Sequence, residues 1–292
     1  MFINSDTLKL LRIHFSFFLM PLFFLALSQS TVPHFAKTIL SFIIIHLFIY
    51  PASNGYNSFI DKDEESIGGL EKPPLPTKQL FFLTMFLDVV GLFAAVLLVN
   101  HLFALCLLLY IAASRAYSSR QIRLKKYPLI VFFTVVFFQG AFTYFMAMTG
   151  IAENQLPLNL PALFILLACS FQIAGAYPLT QVYQHKQDLK DGVVTLSYKL
   201  GYKGTFLFTA LMFMVCNVFY FLYFKTTDRQ NNFYVLQVFF LPIVLYFAWW
   251  FLQVHKNVKN ANFKNTMRMN GIAAVCMNIC FIILYFLNHH SH

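Results

Sequence analysis

Asn57, Asp61 and Glu65 stand four residues apart, so on a helix they stack along one face, drifting by about 40° per step. One amide oxygen and two carboxylates in a row make a surface for Mg²⁺, which takes oxygen ligands and keeps waters that a phosphate can replace. Asp63 and Glu64 point elsewhere and are expected in solvent. A second set lies far along the chain: Gln184, Asp188 and Asp191 share a face, with Gln181 one turn earlier. The chain holds only 11 Asp and Glu, and seven of them (Asp61, Asp63, Glu64, Glu65, Glu71, Asp188, Asp191) lie in or beside these patches. Gathered acids repel each other, and a nearby bilayer makes them costly. A divalent cation held between the two patches gives them a reason to be there. Helix capping and pairing with nearby lysines are the competing uses of the same residues.

Cations stand where they could face such a site. Residues 115–126 read Arg-Ala-Tyr-Ser-Ser-Arg-Gln-Ile-Arg-Leu-Lys-Lys. Tyr117, Arg120, Arg123 and Lys125 of this stretch, with Lys72 beside Pro73 and Lys186 in the second patch, are candidates to grip a diphosphate. Asp88 is different. It is an acid without an evident partner inside an apolar run, and intramembrane acids are functional by default. It is a candidate for the pocket of a second substrate, with a hydrogen-bonded structural Asp as the alternative.

The elements that must position these residues are membrane helices. The chain is 59% hydrophobic and 11% charged, against roughly 25% charged for soluble domains. Apolar runs near the roughly 20 residues needed to cross a bilayer recur throughout. There are nine, at 14–30, 36–52, 79–99, 101–114, 128–147, 158–180, 204–224, 233–254 and 270–288. They predict an all-α polytopic membrane protein, a single domain over 1–292. The run at 101–114 is short and pairs with 79–99 as a tight hairpin. The first run lacks a small-residue cleavage site and reads as a retained helix.

Charge gives the orientation. With the N-terminus in the cytoplasm and nine crossings, all of the 21 basic residues except Lys37, Lys225 and Arg229 fall on the cytoplasmic side. That is the positive-inside asymmetry, and it places the C-terminus outside. The net charge of +10 is then a membrane-face property, and no nucleic acid is implied. Polar inserts at about 53–78 and 181–203 follow spans two and six on this face. They suggest two related four-helix halves plus a ninth helix, with a site at the interface of the halves. Cys106, Cys169, Cys216, Cys276 and Cys280 all lie inside apolar runs and give neither a disulfide framework nor zinc spacing.

Two acid clusters after spans two and six of nine resemble the UbiA superfamily of intramembrane prenyltransferases. The resemblance rests on Asn57-x-x-x-Asp61-x-x-x-Glu65 within 54–74, and on the Gln/Asp-rich stretch of 181–201 running into Gly192-Val-Val-Thr195-Leu196 and Leu200-Gly201. Tyr117-Ser118, a basic loop and Tyr127-Pro128 are also similar. It covers essentially the whole chain. Three positions depart from the family's usual motifs. Ser58 and Glu65 stand where the first usually carries Asp, and Gln184 stands where the second does. Asp191 is an extra acid.

The resemblance implies Mg²⁺-dependent transfer of a polyprenyl group from its diphosphate to an acceptor, the chemistry being attack by an aromatic quinone or pigment precursor on an allylic cation. It implies Asn57, Asp61, Glu65, Gln184 and Asp188 as metal ligands, with Asp61, Asp188 and Asp191 carrying catalysis. The prenyl tail would lie in an apolar groove open to membrane lipid, in a bacterial cytoplasmic membrane. Two other readings stay open: an ion-coupled transporter, which would keep its acids deep in the spans, and an inactive family member serving as a partner.

Overall fold

The computed structural model describes residues 4–121, 124, 127–152 and 159–289. Among these, nine helices are long and apolar enough to cross a membrane. They are α1 (Ser5–Gln29), α2 (Phe35–Asp61), α3 (Lys78–Leu98), α4 (His101–Ser118), α5 (Pro128–Ile151), α6 (Leu160–Thr180), α8 (Leu196–Thr226), α9 (Gln230–Lys256) and α10 (Phe263–His289). A short helix, α7 (His185–Lys190), stands between α6 and α8. The described residues contain no strand, only isolated bridges at Pro33–Ala152 and Ile67–Leu70.

The helices match the nine apolar runs, and the differences have local causes. The first helix begins well before the run at 14–30. It breaks where Arg12 adopts a left-handed conformation (φ 48°) and resumes as a 3-10 turn over Ile13–Leu19. Arg12, counted from the sequence among the cytoplasmic-side cations ahead of the first apolar run, is thereby buried inside the first helical span. The second run extends past its apolar stretch to Asp61. A π turn at Ile44–Ile49 precedes Pro51, whose ring removes one backbone donor and favours a widened turn there.

Small residues let the helices approach. A Cβ on Gly140 of α5 would come within 2.7 Å of the Ser170 Cα of α6, the close contact that stabilises helix pairs in lipid. Helices α6 and α8 are tied by Thr209 Oγ1 donating to the Gly175 carbonyl at 2.9 Å. The last span returns to the first: Asn288 Nδ2 donates to the Ser28 carbonyl at 2.7 Å. Phe206, Tyr220 and Trp250 are wholly buried between helices, while Phe86, Phe93, Val238 and Leu245 face outward. Apolar side chains on the outside suit a hydrocarbon solvent.

Both polar inserts, the turn after α4 and the turn before α10 gather at one end of the bundle. Arg120 reaches the Ile60 carbonyl, Gln187 reaches Asp63, and the Tyr183 and Phe263 rings meet edge to face at 5.5 Å.

Candidate active site

Helix α2 delivers Asn57 and Asp61 in its last turn. It stops there because Lys62 takes a left-handed conformation (φ 55°), its N–H closing on the Ser58 carbonyl. Asn57 Nδ2 donates to Asp61 Oδ2 at 2.8 Å and to Ser118 Oγ of α4 at 3.2 Å. With its amide hydrogens spent, Asn57 presents its carbonyl oxygen as the end left for a cation.

The early stop corrects the expected three-residue face. Glu65 lies beyond the helix, so it does not stack over Asn57 and Asp61. Instead it is exposed and pairs with Lys190 at 2.8 Å. Asp63, expected in solvent, turns inward: Gln187 Nε2 donates to its Oδ1 at 2.8 Å. Glu64 stays exposed.

Helix α7 presents one face to this loop. Gln184, Gln187 and Lys190, spaced by three, bind the Ser66 carbonyl (3.3 Å), Asp63 and Glu65 respectively. The expected face of Gln184, Asp188 and Asp191 therefore splits. Asp188 is half-buried, whereas Asp191 caps the C-terminus of α7 in solvent. The Lys190 ammonium has its pKa raised by its hydrogen bond to Glu65, with Glu64 and Asp191 adding their charge. Asp191 thus belongs to an exposed rim, not to the interior.

The interior is organised by groups that sequence reading passed over. The Arg12 guanidinium donates to the Gly68 carbonyl at 3.1 Å and the Asn54 carbonyl at 3.0 Å, pinning both flanks of the first insert. It lies within electrostatic reach of Tyr183, Asp63, Asp61 and Tyr117. The Tyr183 phenol has its pKa raised by burial, opposed by Arg12 and reinforced by Asp188 and Asp63. Tyr117, whose hydroxyl meets that of Tyr177 at 3.2 Å, is within reach of Asp61, Asp188 and Asp63. Carboxylates from both inserts thus converge around one buried cation and two phenols. The signal that could have flagged Arg12 beforehand is its place between Leu11 and Ile13, at the edge of the first apolar run.

The oxygens present fit a hard cation. Among the described residues no group of three or more His, Cys, Asp or Glu side chains is close enough to enclose a metal ion. Mg²⁺ does not ask for such a cage: it binds through one or two carboxylates and completes its shell with water and substrate phosphate. Asp61 with the Asn57 carbonyl is that kind of donor set, and Asp63 and Asp188 both lie within electrostatic reach of Tyr117 and Tyr183 beside it.

The predicted diphosphate cations are dispersed. Arg120 is spent at the mouth, donating through Nε (3.1 Å) and Nη2 (2.8 Å) to the Ile60 carbonyl at the end of α2. Lys72 and Lys186 are exposed. Arg123, Lys125 and Lys126 lie outside the described residues. Asp88 is not the lone acid expected, because it forms an ion pair with Arg115 of α4. The pair lines a separate cavity of about 390 Å³ that none of the acids of the two inserts touches.

Comparison with known proteins agrees with this architecture. A family model described as the UbiA prenyltransferase family matches residues 17–272. The fold is similar to that of a UbiA homolog from Archaeoglobus fulgidus bound to GPP and Mg²⁺, at 17% identity and a TM-score of 0.68, covering 96% of this chain and 99% of that one. It is similar to the apo structure of a UbiA homolog from Aeropyrum pernix K1, at 17% identity and a TM-score of 0.70, covering 93% and 98%. A digeranylgeranylglyceryl phosphate synthase is also similar, at 15% identity and a TM-score of 0.59, covering 96% of each chain. Among curated proteins none matches.

Proposed function

Because the chain belongs to the UbiA prenyltransferase family, we propose that it transfers a polyprenyl group from its diphosphate to an aromatic quinone or pigment precursor, with Mg²⁺ as cofactor. The observation that carries this reading is the convergence of Asp61 and Asp63 from one insert with Asp188 from the other around Arg12 and Tyr183. Two groups of oxygens facing each other at one end of a membrane bundle suit a diphosphate held between them. Relatives of this fold bind GPP or DMAPP with Mg²⁺, which supports the same donor class here.

In this reading Asn57, Asp61, Asp63 and Asp188 hold Mg²⁺. When bound, Mg²⁺ offsets the negative charge that grows on the departing diphosphate. Arg12 adds a fixed, buried positive charge on the same side. Tyr117 and Tyr183 line the gap with phenol faces and hydroxyls, which can orient phosphate oxygens and shield an allylic cation. Glu65, Asp191, Lys186 and Lys72 sit at the exposed rim, and there they would meet the diphosphate only as it enters. The acceptor would stand near Asp88. The positive-inside asymmetry supports the cytoplasm for the site end, in a bacterial cytoplasmic membrane. A transporter would need its acids at mid-membrane; the one deep acid, Asp88, is neutralised by Arg115.

The test is transfer from radiolabelled geranyl diphosphate to an uncharged phenolic quinone precursor by protein purified into lipid nanodiscs. Activity should require Mg²⁺ and should fall by roughly 100-fold or more in Asp61→Ala and Asp188→Ala, as removal of a metal-held charge does. Undiminished transfer in excess chelator would overturn the metal reading.

A further inference from the structure

The cavity of about 390 Å³ beside Asp88 is a built site with one polar end. It lies between α3 and α4, and Tyr56 of α2 also lines it. Its flanks, Val89 and Leu108, are 67% and 47% exposed, so the groove opens sideways toward lipid. Elsewhere the lining is apolar, and the volume falls within the usual range for small-molecule pockets.

The polar end is held in one geometry. Arg115 donates through Nη2 to Asp88 Oδ2 and stacks on the Tyr56 ring at 4.0 Å. Its other terminal nitrogen, Nη1, is buried with no hydrogen-bond partner among the described residues. An ion pair in a groove that faces lipid is rare without a use.

We propose that this groove binds an uncharged, hydroxyl-headed amphiphile, a phenol or alcohol with an alkyl or isoprenoid tail. The hydroxyl donates its hydrogen to the Asp88 carboxylate, which the bond from Arg115 holds in place. The tail runs along Leu92 and Leu108, two helical turns or about 10 Å from Arg115. Asp88 already neutralises Arg115, so the site has no net charge to offer an anion. A carboxylate head would meet Asp88 across the same guanidinium in a low dielectric. The groove therefore selects phenols over benzoates. Naming this ligand the acceptor rests on the transferase reading above; the binding itself does not.

The experiment uses the full chain in phosphatidylcholine nanodiscs with excess chelator, so that no transfer occurs. A 4-nonylphenol carrying a diazirine in its tail is photocrosslinked and mapped by peptide mass spectrometry. Label should fall within 78–118. Unlabelled 4-nonylphenol should compete at least tenfold better than 4-nonylbenzoate. Asp88→Asn should lose labelling, and Leu108→Trp, a change at a lipid-facing residue that leaves the ion pair intact, should lower it at least tenfold. Label spread over other lipid-facing helices, equal competition by the benzoate, or unchanged labelling of Leu108→Trp would each overturn the proposal. Prenyl transfer measured in the same nanodiscs separates the two ideas. Transfer without selective labelling refutes the groove and spares the enzyme; selective labelling without transfer does the reverse.

Discussion

Gln187 of α7 donates to the Asp63 carboxylate at 2.8 Å, joining residues 124 positions apart. Gln187 is buried, and the bond ties the second polar insert to the first on the inner side of the loop. From the same helix face, the contact of Gln184 at Ser66 is part-buried, and the contact of Lys190 at Glu65 lies exposed at the rim. The relationship makes Asp63 the acid whose orientation the fold controls, and it leaves Glu65 to solvent.

Exchanging these acids tests that assignment. Asp63→Asn should lower Mg²⁺-dependent transfer strongly, and Gln187→Leu should weaken Mg²⁺ affinity by roughly 10- to 100-fold, as loss of a ligand's supporting hydrogen bond does. Glu65→Gln should change either quantity less than threefold, because its contact is exposed. Mg²⁺ titrations of the three variants decide it. A Glu65→Gln defect as large as that of Asp63→Asn would mean that the loop rearranges around bound metal.

Much of this was legible in the sequence. Apolar runs give the nine spans because a lipid-facing helix must be apolar along its length. The pairing of the inserts follows from their spacing between spans. What periodicity could not supply was where α2 ends. The four-residue spacing of Asn57, Asp61 and Glu65 assumes a continuous helix, and a left-handed Lys62 ends it. Nor could it supply partners from distant segments, so the sequence shows Arg12 only as one more cytoplasmic-side cation and leaves Asp88 open between a functional and a hydrogen-bonded structural acid. Both are resolved by tertiary contacts, with Asn54 and Gly68 in one case and Arg115 in the other.

Lys190 and Glu65 form the visible ion pair across the inserts, yet both side chains are largely exposed. Such pairs are screened and contribute little. Lys190→Ala should leave the thermal midpoint in detergent and the transfer rate at saturating Mg²⁺ near wild type. A large loss of either would show that the rim contact, not the Gln187–Asp63 bond, holds α7 in place.

His185 predicts acid sensitivity at the same corner. Its ring nitrogen shares a hydrogen bond with Ser197 at 2.8 Å and packs on the Tyr202 ring. Burial lowers its pKa from 6.5 to about 4. Above pH 6.5 the neutral ring costs nothing. Between there and about pH 4, the opened form takes up a proton that the closed form refuses, so the closed form loses stability as pH falls. Hydrogen exchange of the 185–200 segment should therefore speed up as pH drops through this window, after correction for intrinsic rates. His185→Gln, which keeps a hydrogen-bonding end without a titrating ring, should remove the dependence. Pressing the same slope in both proteins would show that the opening is controlled by another group.

Gln184 and Asp191 offer the last discrimination, because both stand near the second acid cluster and only one faces inward. Gln184 is half-buried and donates to the Ser66 carbonyl at 3.3 Å. Asp191 is exposed at the end of α7, beside Lys190. Ligand charge is a main lever on divalent affinity. Gln184→Asp adds a negative charge on the inner side, so it should lower the Mg²⁺ concentration for half-maximal transfer by roughly three- to tenfold. It gives up one weak hydrogen bond to the loop, which should not alter the fold. Asp191→Asn removes a charge that solvent already screens, so its Mg²⁺ curve should overlay wild type. Mg²⁺ titrations of the two variants under identical conditions are the measurement. A shift in Asp191→Asn with none in Gln184→Asp would place the extra acid at the metal and turn α7 by about half its circumference from the orientation described.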